Sequence, residues 1–320
     1  MAVPSYKRIY LNQKGEIVHE KVNRQNMTSW DLVYYLLRAN YDRVESGYLE
    51  DARLPEERET DGRVEHRYGC TVFDVVDEGN HVRIKFKKAL EDGTEAEESI
   101  MADLVVAADG PSSTIRGMLE PGIERKYAGY AVIRGTVPEL EASDGALDVF
   151  RERFCFFHGE GIQNLTYTIA GENGTTKPGE RLLNFVWYAN FPEDGEELEE
   201  VMTDCDGRRR RITIPPGKIS NDAWVMLKAK AEGKLPPQMA EMVEKSKSPF
   251  VQCITDVTSP KNLYMGDKVV LVGDALAGFR PHTVASTSQA AFDVMTLVEW
   301  LDGGISRDEM VKQTMRYARL

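Results

Sequence analysis

The 320-residue sequence predicts a mixed α/β (α+β) fold of two intertwined units, and three observations carry that expectation. Residues 104–108 (LVVAA) are a continuous apolar run ending in Asp109-Gly110, and residues 268–272 (KVVLV) are a second ending in Gly273-Asp274. Each reads as a strand covered on both faces, then a sharp turn, then a helix. Between the two, from about residue 127 to 256, strand signals crowd together. The predicted arrangement is a nucleotide-type domain built from residues 1–117 and 256–320, with a β-sheet domain, 118–255, inserted into it.

The elements follow in order. Residues 7–20 alternate around a turn at 12–15, as a hairpin does. Thr28 offers an N-cap for a helix over 30–41, where Leu32, Tyr35 or Leu36, and Ala39 keep helical spacing. Segments 68–76, 82–88 and 95–101 read as a three-strand meander, with turns at Glu78-Gly79-Asn80 and Glu91-Asp92-Gly93. In the central region, 130–137, 154–158, 164–169, 183–189 and 210–214 read as strands, and 221–232 and 237–246 as helices. Past Gly273-Asp274 a helix is expected over 286–300, stopped by Gly303-Gly304. Ser306 and Glu309 form a capping box for one more helix.

Composition narrows the function classes. Hydrophobic residues make up 42% and charged residues 29%, as in ordinary globular proteins. The formal charge of −12 argues against nucleic acid or an acidic membrane as partner. The basic run 208–211 is flanked by Asp204 and Asp206 and reads as a solvated turn. The four cysteines are scattered, with no Cys-x-x-Cys pair, so neither a metal site nor a disulfide framework is expected. No apolar run reaches membrane-spanning length, and a cytoplasmic protein is expected.

The chemistry concentrates at the two strand ends. Gly110 permits positive φ and close approach of a ligand, and a carboxylate at a strand's carboxyl end sits where α/β sheets hold ligands. Arg116 follows at a spacing suited to one helical turn, to lock the loop or to meet a phosphate. Gly273, Asp274 and Ala275 precede Pro281 and a small-residue helix start at Ala285 and Ser286. Small side chains there would let a flat ring approach the positive end of the helix.

These residues resemble a known family. Asp109-Gly110-x-x-Ser113-x-x-Arg116 is similar to the second flavin-binding signature of the FAD-dependent, para-hydroxybenzoate hydroxylase-like aromatic hydroxylases. Gly273-Asp274-Ala275, Pro281 and Asp293 resemble the third. Met27-Thr28-Ser29-Trp30-Asp31, Tyr127-Ala128-Gly129-Tyr130, Arg134-Gly135, the strand from Asn184 to Asn190, and Arg280-Pro281-His282-Thr283 resemble the 2,6-dihydroxypyridine 3-monooxygenase branch. The resemblance implies a Rossmann-like FAD-binding domain and an inserted substrate-binding sheet. It implies FAD as cofactor, NADH or NADPH as co-substrate, and hydroxylation of an electron-rich aromatic or N-heteroaromatic ring by O₂. On that footing Asp109, Gly110, Arg116, Gly273, Asp274 and Ala275 would hold FAD. Pro281, Thr283, Val284, Ala285 and Ser286 would line its ring system. His282 is the candidate base, either for a substrate hydroxyl or as a packing residue. Asn184 and Tyr188 are the candidate substrate contacts; they share one strand face with Val186, Phe185 and Trp187 share the other, and alternation leaves open which of the two faces sees the ring. A homodimer is the candidate assembly.

The 320 residues depart from the family pattern at one main point. The only Gly-x-Gly is Gly159-Glu160-Gly161, with Asn164 in place of the third glycine, so the N-terminal dinucleotide fingerprint is absent and the FAD domain is expected to be incomplete. The family's C-terminal end is likewise expected to be missing. A truncated monooxygenase is therefore weighed against a non-catalytic binding protein derived from such an enzyme by loss of its FAD head.

Overall fold

The computed structural model describes residues 2–49, 59 and 61–319. Met1 and Leu320, the outer limits of the expected domains, lie outside the described residues. The elements run β1 (Val3–Leu11), β2 (Ile17–Met27), α1 (Trp30–Asp42), β3 (Cys70–Asp77), β4 (Val82–Ala89), β5 (Glu95–Ala102), β6 (Val105–Ala107) and α2 (Thr114–Leu119). They continue with β7 (Lys126–Pro138), α3 (Asp144–Phe150), β8 (Arg153–Gly159), β9 (Ile162–Ile169), β10 (Leu182–Asn190), α4 (Glu196–Val201) and β11 (Thr213–Ile214). Last come α5 (Asn221–Lys234), α6 (Pro237–Lys245), β12 (Phe250–Thr258), β13 (Leu263–Tyr264), β14 (Val269–Leu271), β15 (Ala277–Gly278), α7 (Ser286–Leu301) and α8 (Arg307–Tyr317). The mixed α/β expectation holds.

The contacts divide the chain differently from the expected bounds. One unit comprises residues 1–66 and 129–253, the other 67–128 and 254–320. The N-terminal hairpin leaves the nucleotide-type unit because β1 pairs in parallel with β8, from Lys7 opposite Arg153 to Leu11 opposite Phe157. Sequence alternation marks a strand but not its neighbour.

The first unit is built on a sheet of order β11-β12-β7-β10-β9-β8-β1-β2. Central β10 is antiparallel to β7 and β9 along its length, and its residues from Leu183 to Ala189 are buried on both faces. On one face Phe185 and Trp187 are fully buried. Gly135, opposite Phe185, is required there, because a Cβ would meet the Phe185 ring at 2.8 Å and collide with Ser246 Oγ at the end of α6. That face therefore packs on the helices. The opposite face carries Tyr130, Arg134, Tyr167, Asn184 and Tyr188. A buried ion pair ties the sheet's connections: Arg181 Nη2 lies 2.6 Å and Arg181 Nε 2.9 Å from the Glu139 carboxylate, with both side chains almost inaccessible.

The second unit holds the antiparallel meander β3-β4-β5 and a sheet of order β13-β14-β6. In the latter, β14 runs parallel to β6, Val269 to Leu271 opposite Val105 to Ala107. Val105, Ala107, Val269, Leu271, Ile115 and Met315 share one core cluster, and Val270, Val272, Leu297 and Met310 share another. The double coverage expected of 104–108 is only partly realised, since Val106 is 45% exposed while both its strand neighbours are buried. Ser29, not Thr28, caps α1, its hydroxyl accepting from Leu32 N. Ser306 caps α8 as expected, accepting from Glu309 N at 3.2 Å. The strand expected over 210–214 shrinks to Thr213–Ile214.

Candidate functional site

In the second unit, the turns after β6 and β14 are joined by one side chain. Ser113 caps α2, its hydroxyl accepting from Arg116 N and donating to Asp109 Oδ1 at 2.5 Å. Ile115 N reaches Asp109 Oδ2 at 3.2 Å. Asp109, exposed, thus steadies the first turn of α2 while keeping lone pairs for a further donor. Arg116 is 2% exposed. Its guanidinium donates from Nη2 to Pro111 O at 2.6 Å, and from Nη1 to Ala275 O at 2.9 Å and Asp274 O at 3.4 Å. Of the two roles the sequence left open, this geometry fits the lock: the charge is engaged by the carbonyls of both turns.

The second turn is equally determined. Gly273 holds φ +58°, and a Cβ there would lie 3.2 Å from Ala290 Cβ, so the residue must be small for α7 to approach. Its N–H donates to Asp293 Oδ2 at 2.9 Å, and Gln289 Nε2 donates to its carbonyl at 3.2 Å. Asp293 is buried on α7, and that burial raises its carboxyl to about 6. Asp274 is half-buried, and desolvation raises its pKa against the opposing effects of Ser286 and Arg125. Its Oδ1 is buried with no hydrogen-bond partner. Gly110 holds φ +78° with open space where a Cβ would stand. A buried acceptor without a donor and an open approach at Gly110 suit a ligand hydroxyl and backbone-close contact. The residues present therefore fit the ribose or ribityl hydroxyls of a dinucleotide such as FAD.

Pro281, His282, Thr283 and Val284 are all exposed, and Ala285 and Ser286 half-buried. Val284 holds φ +55°, a costly conformation for a β-branched residue, closing the short turn that precedes α7. No side chain caps the N-terminus of α7. Arg280 forms a two-pronged pair with Asp256 at 2.8 and 2.5 Å, and His282 adds to the charge that lowers the Asp256 carboxyl.

In the first unit, Asn184 and Tyr188 lie on the sheet face away from the helices, separated by Val186. Tyr188 meets Tyr130 edge-on at 6.0 Å, and burial pushes its phenol up to about 12. Tyr167, opposite Asn184, is also raised by burial. Both phenols stay protonated at neutral pH. Of the two faces left open by alternation, this one carries polar groups, whereas Phe185 and Trp187 are enclosed.

Sequence reasoning quoted Arg134 without giving it a role, and it overlooked Gln289. Arg134 was detectable as the one charge inside the otherwise uncharged strand segment 130–137. Gln289 gave no signal, since a polar residue one turn into a helix is ordinarily solvated.

Comparison with known proteins gives a consistent result. Residues 127–256 match the model of the FAD binding domain-like family. The chain is 33% identical over 208 residues to a 2,6-dihydroxypyridine 3-monooxygenase of Paenarthrobacter nicotinovorans, covering 65% of this chain and 49% of that protein. It is 30% identical over 213 residues to a 3-amino-4-hydroxybenzoate 2-monooxygenase of Streptomyces cremeus, covering 66% of this chain and 43% of the relative. The chain thus matches about half the length, or less, of these curated relatives. The solved structure of 2,6-dihydroxypyridine-3-hydroxylase from Arthrobacter nicotinovorans superposes with a TM-score of 0.79 at 27% identity, over 100% of this chain and 72% of that one.

Proposed function

We propose that the chain belongs to the FAD-dependent aromatic hydroxylase family and serves an FAD-dependent monooxygenase hydroxylating an electron-rich aromatic or N-heteroaromatic ring. The observation that carries the reading is the buried, unpartnered Asp274 Oδ1 beside two turns locked by Arg116. Bound FAD would supply oxidation of NADH or NADPH and activation of O₂. The chain's own residues bind and orient. Asp274 accepts a hydroxyl of the cofactor, Gly110 admits its close approach, and Arg116 keeps the two turns in register. Residues Pro281, Thr283, Val284, Ala285 and Ser286 are assigned to the flat ring of FAD. Asp109 contributes an acceptor next to the first turn of α2.

On the sheet unit, Asn184 and Tyr188 contact the ring substrate. His282 is assigned as the base that takes the proton of a ring hydroxyl. The relatives' names point to small hydroxylated rings bearing nitrogen or an amino group, and a compound of that class is the expected substrate here. No helix among the described residues is long and apolar enough to cross a membrane. A cytoplasmic location and a homodimer complete the reading, the former supported by four free cysteines.

The test is a visible spectrum of the purified protein, followed by titration with FAD and by NAD(P)H consumption with 2,6-dihydroxypyridine. Flavin absorbance, substrate-stimulated consumption and a product heavier by one oxygen are expected. Flavin-free protein that neither takes up FAD nor consumes NAD(P)H would favour the non-catalytic binding protein instead.

A further inference from the structure

We propose that Gln289 and Asp293 of α7 are positioning residues that latch the turn presenting Asp274, and that the latch is closed when the Asp293 carboxyl carries a proton. This deepens the proposed function and rests on it only for the identity of the ligand that the turn meets.

The latch is a grip on one residue from both of its backbone groups. Asp293 Oδ2 accepts from Gly273 N at 2.9 Å, and Gln289 Nε2 donates to Gly273 O at 3.2 Å. A longer contact of 3.4 Å joins the same Nε2 to Asp293 Oδ2. Between them on the helix stands Ala290, whose Cβ would lie 3.2 Å from a Cβ at position 273. Residues 289, 290 and 293 thus share the stretch of α7 that meets the turn. From the side of α2, Arg116 holds the next two carbonyls, those of Asp274 and Ala275. Both grips act on backbone atoms and leave the Asp274 side chain outside them, with its Oδ1 unpartnered.

The surroundings of Asp293 make this grip depend on a proton. The side chains of Gln289 and Asp293 are 0% and 1% exposed. The charged groups on the elements packed against them are Asp274 and Arg116 at the turn and Arg307, Asp308, Glu309, Lys312 and Arg316 on α8. Asp293 pairs with none of these, and its polar partners among the described residues are Gly273 N and Gln289. Asp293 Oδ1 and Gln289 Oε1 are buried without a donor. A buried carboxylate with one backbone donor, one distant amide and no cation holds its charge at a cost. A proton removes that charge and adds a donor where acceptors are in excess. Burial accordingly raises the carboxyl from 3.8 to about 6. In an opened turn the group is hydrated and returns towards 3.8. The closed state therefore binds the proton more tightly, so the grip is fully present below pH 3.8 and is lost as pH rises through about 6.

The experiment first reads the proton itself, as the carboxyl carbon-13 resonance of Asp293 in the ligand-free protein, identified by its loss in Asp293→Asn. A titration midpoint near 6 is expected. Amide exchange of Gly273, and of Leu276, which also donates to Gly273 O, then reads the turn after correction for intrinsic exchange rates. The opening constant should be about tenfold larger at pH 8 than at pH 5, the ratio that carboxyl values of 3.8 and about 6 require. Amides of β3, β4 and β5 should stay level over that range. Asp293→Asn should keep the protection and lose its pH dependence, whereas Gln289→Leu should open the turn further at every pH and keep the dependence. A midpoint below about 5, level exchange in the parent protein, or a pH dependence that survives Asp293→Asn overturns the proposal. FAD is titrated at the same pH values. FAD uptake with level exchange sinks the latch alone, and proton-linked exchange without FAD uptake at any pH sinks the monooxygenase reading alone.

Discussion

Replacing Arg116 with methionine keeps most of the buried stem and deletes the group that ties the two ligand-facing turns together. The side chain is 2% exposed and donates to Pro111 O at 2.6 Å and Ala275 O at 2.9 Å, with a longer contact to Asp274 O at 3.4 Å. The two shorter bonds have standard geometry, and the third is too long to count fully. Hydrogen bonds from a charged donor contribute roughly 1.5–3 kcal/mol each, part of which is offset because burying the guanidinium is itself unfavourable. A net loss of about 3 kcal/mol follows, equivalent to a melting temperature lower by roughly 6–12 °C in a domain of this size. The assay is amide hydrogen exchange read segment by segment, with FAD affinity measured in parallel. Protection should fall in residues 109–116 and 273–276 and remain in β3, β4 and β5. FAD affinity should fall by the fraction of molecules whose turns have separated. Arg116→Lys should recover little, because an ammonium cannot fork across carbonyls on two turns. Unchanged protection at both turns in Arg116→Met would refute the lock.

The other expectations follow the same geometry. Asp274→Ala should weaken FAD binding by about ten- to a hundredfold, and Asp274→Asn, which keeps an acceptor, by less, as read by fluorescence titration. Asp293 has its carboxyl raised from 3.8 to about 6, so its contribution is fully present below pH 3.8 and is lost as pH rises through about 6. Asp293→Asn keeps an acceptor for Gly273 N and removes the buried charge, so above pH 6 it should be more stable than the parent by about 2 kcal/mol, the gap closing towards pH 4 in a series of thermal melts. Glu139 shows the opposite sign. Its carboxyl is lowered from 4.5 to about 2, first by the Arg181 hydrogen bonds, so its stabilisation is present above pH 4.5 and is lost as pH falls through about 2. Allowing for solvent screening at the half-open Arg151, Glu139→Gln should cost about 2 kcal/mol at pH 7 and progressively less below pH 4.5, measured by urea unfolding.

Much of the local structure was legible because it rests on short-range rules. The meander β3-β4-β5 and helices α5 to α7 fall within two residues of their expected limits, set by alternation, glycine turns and caps. What was illegible depends on partners distant in sequence. The parallel pairing of β1 with β8 joins residues more than 140 apart and has no local signature. For the same reason the grouping of the N-terminal hairpin with the sheet could not be read from the sequence. At the candidate site, the Asp-Gly and Gly-Asp turns announced themselves, and Arg116 was noticed but its target was not, since two of its three acceptors lie some 160 residues away. The face bearing Asn184 and Tyr188 could not be chosen from β10 alone, because nearly every residue of that strand is buried. The choice needed Gly135, whose missing Cβ shows which side the helices occupy.

The unsatisfied groups at the two candidate sites differ in balance, mostly acceptors at the one and donors at the other. Around the turns of the second unit the unpartnered buried atoms are three oxygens, Asp274 Oδ1, Gln289 Oε1 and Asp293 Oδ1, and one donor, Arg116 Nε. On the sheet face of the first unit away from the helices they are nitrogens, Arg134 Nε and Asn184 Nδ2, both donors. A hydroxyl-rich cofactor answers the first set and cannot neutralise the second. An acidic aromatic ring answers the second and would be repelled by the carboxylates of the first. The fold thus holds two polar networks of different character. On the proposed function, each would be completed by one of the two ligands that an aromatic hydroxylation requires. Swapping the character of one site, by Arg134→Glu, should therefore abolish binding of acidic rings while leaving FAD uptake intact. Loss of both together would show that the two networks are not independent.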